Sequence, residues 1–348
     1  MVTIRDVARE AGVSVASASR ALNGHTNVAP ETRDRINDAA LLLRYVPHEG
    51  ARSLTRRRSD AIGVVLPDLF GEFFSELIRG IDKIAHASGL QLLLGNMHGS
   101  PHETASAINA MRGRVDGLLV MSPDCNGDHL YDALPAGIPV VLLDFDRPHA
   151  DADAVGIDNH GGAYAMTEHL VASGYRRIAH IAGPRNNRDA RERQRGFVDA
   201  LAKLTGERSP VIVPGDFTEA GGSDAARLLI AGRVPFDAIF CANDMMALGC
   251  MAVLGDAGLE IPRDVGVAGF DDIPLAHYAA PPLTTMKVHI AELGAAAMTR
   301  LLERMRGNVS PRTTNIIAPT LMARASIARA LQPPTKQSQA VITEGNRP

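Results

Sequence analysis

The sequence predicts two unlike parts: an N-terminal all-α helix-turn-helix headpiece, then an α/β core of two doubly wound parallel-sheet lobes. Three observations carry this. Residues 3–23, TIRDVAREAGVSVASASRALN, hold two short amphipathic stretches joined at one glycine. Beyond residue 60, unbroken apolar runs alternate with helical stretches, the pattern of parallel strands covered on both faces. That series occurs twice with matching landmarks, Arg79-Gly80-Ile81-Asp82 in the first and Arg195-Gly196-Phe197-Val198 in the second. A chain of 348 residues, 45% hydrophobic and 22% charged, is also long enough for more than one core.

In order along the chain, Thr3 with Asp6 three positions on starts a first helix whose apolar face is Ile4, Val7, Ala8 and Ala11. Gly12 stops it. Ser14 caps a second helix, with Ala18, Ala21 and Leu22 turned inward and Val15, Ala16, Ser19 and Arg20 outward. Pro30 opens a third helix that runs to Tyr45, with Ile36, Ala39, Ala40 and Leu43 inward. The headpiece is thus residues 1–46. Residues 47–59, PHEGARSLTRRRS, are too polar for a core and too short for a stable isolated helix, so they read as a hinge.

In the core, residues 60–330, the first series reads IGVVLP, a helix from Phe73 to Ser88, QLLLGN, a helix from about Glu103, DGLLVMSP and IPVVLLD. The second has strands at RIAHIAG, PVIVPG, AIFCAND and VGVAGFD. Residues 331–348, rich in Pro and Gln, read as a disordered tail without coiled-coil leucines, which points to a homodimer and not a tetramer.

The net charge of −3 argues against nucleic acid until the chain is divided. Residues 1–58 hold ten Lys/Arg against six Asp/Glu, net +4, and the rest is net −7, so phosphate affinity is concentrated at the N-terminal end. No apolar run is long enough to cross a membrane and no secretory signal opens the chain, so a cytoplasmic protein is expected. Cys125, Cys241 and Cys250 lack CxxC spacing and read as reduced thiols. Enzyme signals are missing: there is no GxxxxGK[ST], no GxSxG, only GxxG at Gly266–Gly269, and the His residues are scattered without metal spacing. Neither cofactor, metal nor catalytic residue is expected, although Asp144 with Asp271 could be imagined as an acid and base pair in a sugar-converting enzyme.

Two groups of residues carry the chemistry. On the second helix, Val15 and Ala16 can discriminate bases only by shape and thymine-methyl contact, whereas Arg20 can donate two bonds to guanine. Thr3, Ser14, Ser19 and Asn27 are candidates for phosphate contacts that set register. At the strand ends of the core stand Asp144, Asn243, Asp244, Asp271 and Asp272, with Phe73, Phe74, Phe145, Phe217 and Arg193 near them. Asp244 and Asp272 read as caps. With aromatics at 4% of the chain and no Trp, this grouping of planar polar groups and rings fits a sugar cleft.

The stretch TIRDVAREAGVS, then Ser19-Arg-Ala-Leu-Asn23, Tyr45-x-Pro47 and Ala51-Arg52-Ser53-Leu54, resembles the headpiece of the lac-repressor (LacI/GalR) family, and the match continues almost to the C-terminus. The resemblance implies a type I periplasmic-binding-protein core that exchanges strands between lobes, the first at about 60–157 and 290–317, the second at about 158–289 and 318–330. It places Val15, Ala16 and Arg20 on base edges, and Leu54 in the minor groove beside Ala51 and Arg52 of a hinge helix. It places Phe74, Asp144, Arg193, Phe217, Asn243 and Asp271 on the effector. Gly50, and His48 where the family has asparagine, depart from the pattern, so the hinge is expected to fold only on DNA. The function implied is a ligand-responsive repressor of carbohydrate genes that binds a pseudo-palindromic operator as a dimer. A purine or nucleoside effector is the alternative.

Overall fold

The computed structural model describes residues 2–23, 27–45, 58–98, 101–123, 132–145, 152–232, 235–308 and 310–327. The hinge residues Ala51, Arg52 and Leu54, Cys125 and the tail 331–348 lie outside them.

Three helices make the headpiece: α1 (Ile4–Glu10), α2 (Val15–Leu22) and α3 (Pro30–Leu42). Their core is small and alanine-rich, with Val7, Ala8, Ala11, Ala18, Ala21, Ile36, Ala39 and Ala40 buried. Small side chains let three short helices approach closely enough to exclude water. Gly12 takes φ +63° between α1 and α2, a left-handed backbone that costs glycine nothing. The third helix stops at Leu42, three residues before the expected Tyr45, because Arg44 turns left-handed and Tyr45 N–H reaches back to the Ala40 carbonyl.

The first lobe is a six-stranded parallel sheet in the order β11-β5-β4-β3-β1-β2. Its strands are β1 (Ala61–Leu66), β2 (Gln91–Asn96), β3 (Gly117–Met121), β4 (Val140–Leu143), β5 (Asp153–Ile157) and β11 (Thr314–Ile317). Alternate residues of the central strands feed two apolar layers. Ile62, Val64, Leu119, Val141 and Val155 join the layer that includes Leu77, Ile81, Leu293 and Ala297, from α4 (Glu72–Ala87) and α11 (Ile290–Met305). Val65, Leu118, Val120, Leu142 and Ala154 face the other side, with Ile108 and Met111 of α5 (Pro101–Met111). Strand β2 corrects the expectation of full cover: it is an edge strand, and Gln91, Leu93 and Leu94 are exposed.

The second lobe is a four-stranded parallel sheet, β7-β6-β8-β9, from β6 (Ile178–Ile181), β7 (Ile212–Val213), β8 (Ala238–Cys241) and β9 (Gly266–Ala268). Helices α6 (Asn159–Ala172), α7 (Arg188–Thr205), α8 (Glu219–Ala231) and α9 (Asp244–Asp256) flank it, followed by the short α10 (Pro274–Tyr278). An antiparallel ribbon of β10 (Thr285–Lys287) and β12 (Thr320–Met322) completes the lobe. The chain passes between lobes at Ile157–Asn159, between Lys287 and Ile290, and between Ile317 and Thr320. Cys241 and Cys250 are buried free thiols.

Gly80 and Gly196 explain the repeated landmark of the two series. A Cβ on Gly80 would strike the carbonyl of Ala291, and one on Gly196 the carbonyl of His160. In each lobe the helix that bears the landmark is therefore pressed against its neighbour, α4 on α11 and α7 on α6, at a separation only glycine permits.

At the opposite end from the cleft described below, the linker is moored to the core. Asp116 accepts hydrogen bonds from Ser59 N (2.8 Å), Ser59 Oγ (2.7 Å) and Asp60 N (2.9 Å). Nearby, fully buried Asp153 is held by Arg304, Arg300, Arg312 and the Thr313 amide. Burial pushes its carboxyl up, but these donors outweigh it and hold Asp153 well below the usual carboxylate range.

Candidate functional site

Two surfaces carry the predicted chemistry. On the headpiece, Ala18 and Ala21 anchor α2, which leaves Val15 44% exposed, with Ala16 and Arg20 exposed beside it. Ser14 Oγ accepts from Ser17 N at 3.1 Å and so holds the start of α2. Thr3 donates from both N and Oγ1 to Asp6 Oδ2, at 3.0 and 2.8 Å. Ser19 is half-buried and its hydroxyl receives Asn23 Nδ2 at 3.3 Å, while Asn27 is exposed on the α2–α3 loop. The hydroxyls of Thr3, Ser14 and Ser19 thus serve the headpiece itself, and Arg20 is the long cation that the reading helix presents to solvent.

In the core, the C-terminal ends of the strands of both lobes converge on a cleft of about 520 Å³. Phe73, Phe74, Asp144, Arg193, Phe217, Asn243 and Asp271 all line it. Phe73 and Phe74, in the first turn of α4, meet edge to face with centroids 5.4 Å apart. Asp144 follows β4, Phe217 follows β7, Asn243 follows β8 and Asp271 follows β9. Three of these residues have left-handed backbone, Asp144 at φ 42°, Phe217 at 70° and Asp271 at 114°. Non-glycine residues hold such conformations only where the surroundings over-determine them, and they concentrate at ligand sites.

Arg193 organises the cleft from the second turn of α7. Its Nε donates to Asn159 Oδ1 (2.8 Å), its Nη1 donates to the Ala242 carbonyl (2.6 Å) and pairs with Asp271 Oδ1 (3.1 Å). The guanidinium also lies 4.0 Å over the Phe270 ring and 5.8 Å from that of Phe217. Burial pushes the Asp271 carboxyl up to about 6, against the pull of Arg193. Asp144 is 1% exposed, and neither carboxylate oxygen accepts a well-formed hydrogen bond, the Ile157 amide offering only a weak one. Burial first, then the nearby Asp189, push Asp144 well above the usual carboxylate range, with Arg193 opposing.

Some expectations are corrected here. Asn243 caps α9, its Oδ1 accepting from Met246 N at 3.0 Å and its Nδ2 donating to the Phe217 carbonyl at 2.9 Å, so both ends of its amide already have protein partners. Asp244, read as a cap, accepts instead from Thr285 Oγ1 (2.6 Å) and Ile273 N (3.0 Å) and ties α9 to the ribbon. Asp272 receives Arg324 Nη2 at 2.6 Å. Phe145 turns away from the cleft into the second apolar layer, beside Ala154. Asp68, Glu72, Asn187, Asp189 and Asp216 line the cleft without having been singled out. Asp68 and Asp216 obey the strand-end rule that found Asp144, whereas Asp189 sits in the first turn of a helix, where no strand-end signal exists.

A two-part architecture, with a three-helix headpiece and a cleft between parallel-sheet lobes, matches known proteins. Residues 3–48 match the model for bacterial regulatory proteins of the lacI family, and residues 167–327 that for a periplasmic binding protein-like domain. The HTH-type transcriptional regulator GalS of Salmonella typhimurium is 35% identical over 330 residues, 94% of this chain and 97% of the relative. The chain belongs to the lacI family. It is a DNA-binding transcriptional regulator with a helix-turn-helix headpiece and a periplasmic-binding-protein-like core. Among solved structures, the lac repressor dimer bound to operator and the anti-inducer ONPF is 29% identical with a TM-score of 0.82, covering 94% of this chain and 99% of that one. The transcriptional regulator CelR in complex with cellobiose is 32% identical with a TM-score of 0.70, covering 94% and 100%. Among the described residues no helix is long and apolar enough to cross a membrane, and no cluster of ligating side chains would hold a metal ion.

Proposed function

We propose that this regulator is a repressor that binds a pseudo-palindromic operator as a homodimer and is modulated by a small saccharide seated between the lobes. The observation that carries the reading is the convergence of Phe74, Asp144, Arg193, Phe217 and Asp271 on one cleft, where rings flank planar hydrogen-bonding groups. Sugars need both, ring faces for C–H surfaces and paired acceptors for vicinal hydroxyls. The cellobiose complex of a relative supports the same class.

In this reading residues 1–46 read DNA and residues 47–59 form the hinge. Lobes at about 60–157 with 290–317, and 158–289 with 318–330, close on the ligand. Arg20 carries direct base readout beside Val15 and Ala16; Thr3, Ser14, Ser19 and Asn27 set register; Ala51, Arg52 and Leu54 belong to the hinge in the minor groove. Closure changes the spacing of the paired headpieces, and by linkage ligand and operator alter each other's affinity by one common factor. No residue is assigned to catalysis, and the protein works in the cytoplasm.

Titration of operator DNA at several salt concentrations, with and without a panel of mono- and disaccharides and purines, tests this. Arg20→Ala is expected to cost about 1–3 kcal/mol of specific binding and to relax base preference at one position of each half-site. A sugar that shifts operator affinity supports the effector assignment. An operator affinity blind to every sugar but moved by a purine defeats it.

A further inference from the structure

The lining of the cleft is strongly one-sided in charge. Six carboxylates face it, Asp68, Glu72, Asp144, Asp189, Asp216 and Asp271, against one guanidinium, Arg193, with His98 at the mouth. The guanidinium is already committed to Asp271, Asn159 and the Ala242 carbonyl. Asp216 is likewise committed, accepting from Thr218 N and Oγ1. Asp144 is different, because it is buried to 1% exposure with both carboxylate oxygens lacking a well-formed hydrogen bond. A buried acceptor left in that condition is costly unless something brings donors to it. Hydroxyl pairs and ammonium groups bring donors; phosphates and carboxylates bring only more acceptors and a like charge.

From this geometry we infer that the cleft selects its ligand by charge: it takes an uncharged or amine-bearing molecule through donors placed on Asp144, and excludes the phosphorylated or acidic form of the same molecule. The inference rests on the proposed effector site, but the charge rule is separable from the sugar class. The repulsion comes from Asp68, Glu72 and Asp216 on the exposed side of the lining, which an entering anion must pass, whereas Asp144, held well above the usual carboxylate range by burial, contributes hydrogen-bonding atoms more than charge.

Calorimetry on the full-length protein tests it with matched pairs: galactose and glucose against their 6-phosphates, glucosamine against glucuronate, and adenine and hypoxanthine against their nucleoside monophosphates. The neutral or amine-bearing member is expected to bind at least tenfold more tightly than its anionic partner. That ratio is expected to shrink as salt is raised, since screening weakens Coulombic discrimination at the open mouth more than shape discrimination. It is also expected to shrink in Asp144→Asn, and in Glu72→Gln, a milder change at a half-buried position should Asp144→Asn fail to fold. Equal or tighter binding of the phosphorylated members overturns the charge rule, as does a ratio that neither salt nor either variant moves. Binding confined to the purine bases defeats the sugar reading, and the rule is then judged on base against monophosphate. Silence from every pair overturns both.

Discussion

Arg193 shows how a residue can line a cleft and also be part of its frame. Its side chain is 5% exposed and holds Asp271, Asn159 and the end of β8 in place. Removing it leaves Asp271 buried beside Asp189 without its cation. Arg193→Ala is therefore expected to lose about 3–5 kcal/mol of stability as well as the ligand response. Asp271→Asn in the same chain is expected to recover part of that loss, because the uncompensated charge disappears. Urea unfolding of the two single variants and the double variant measures the coupling; additive losses would show that the pair contributes nothing as a pair. The strand-end rule was enough to single out Asp144 and Arg193's partner Asp271 from sequence, and the scarcity of aromatics drew in Phe217. Their left-handed backbones and the double use of Asn243 as cap and strut were not legible, because both depend on where the following helix lies.

Helix packing is where the two lobes repeat each other most closely. The Arg-Gly-aromatic or Arg-Gly-Ile landmark looked like a mere echo in sequence, yet each glycine sits where a neighbouring helix carbonyl would collide with a Cβ. Gly80→Ala, although favourable for helix propensity by roughly 1 kcal/mol, is expected to destabilise the first lobe by about 1–3 kcal/mol through forced separation of α4 from α11. A urea midpoint unchanged or raised in Gly80→Ala would show that the helices yield freely. Element boundaries were read from capping and apolar period, which worked where both were local, as at Ser14 and Gly12. Strands β5, β10, β11 and β12 escaped notice. They are short, and β5 and β11 pair residues 160 positions apart in the chain, from Ala154 with Thr314 to Ile157 with Ile317; no local pattern announces such a partner.

Over the whole molecule, buried titratable groups are expected to set the pH dependence of stability. His180 lies inside the second lobe, stacked on Phe197 at 4.9 Å with Nδ1 bonded to the Phe240 carbonyl, and burial lowers it to about 4. Its contribution is present above the ordinary histidine range and lost as pH falls from about 6.5 to 4. Asp271, raised to about 6, acts in the opposite direction: the folded chain holds a proton that the unfolded chain releases above about pH 4, so stability falls as pH rises from 4 to 6. These two effects are each roughly 3 kcal/mol and nearly cancel. Asp144 and Asp244, both pushed well up by burial, tip the balance. Without ligand, the urea midpoint is expected to be higher near pH 5 than at pH 7, and to collapse below about pH 4 as Asp153 loses the advantage its arginines give it. A midpoint that climbs steadily from pH 5 to pH 7 would show that the cleft carboxyls ionise at no cost.

By itself the sequence determined the two-part plan, the second headpiece helix with Arg20 outward, the parallel-sheet lobes and four of the cleft's polar residues, Asp144, Arg193, Asn243 and Asp271. All of these follow from periodicity, capping and strand ends, which are properties of neighbouring residues. Only the tertiary structure decided that Asp144 is left without well-formed hydrogen bonds, that Arg193 is already committed to Asp271, and that six carboxylates share one cavity. Burial and charge balance are sums over residues brought together from both lobes, and the chain crosses between those lobes at three points far apart in sequence. No window along the chain contains them.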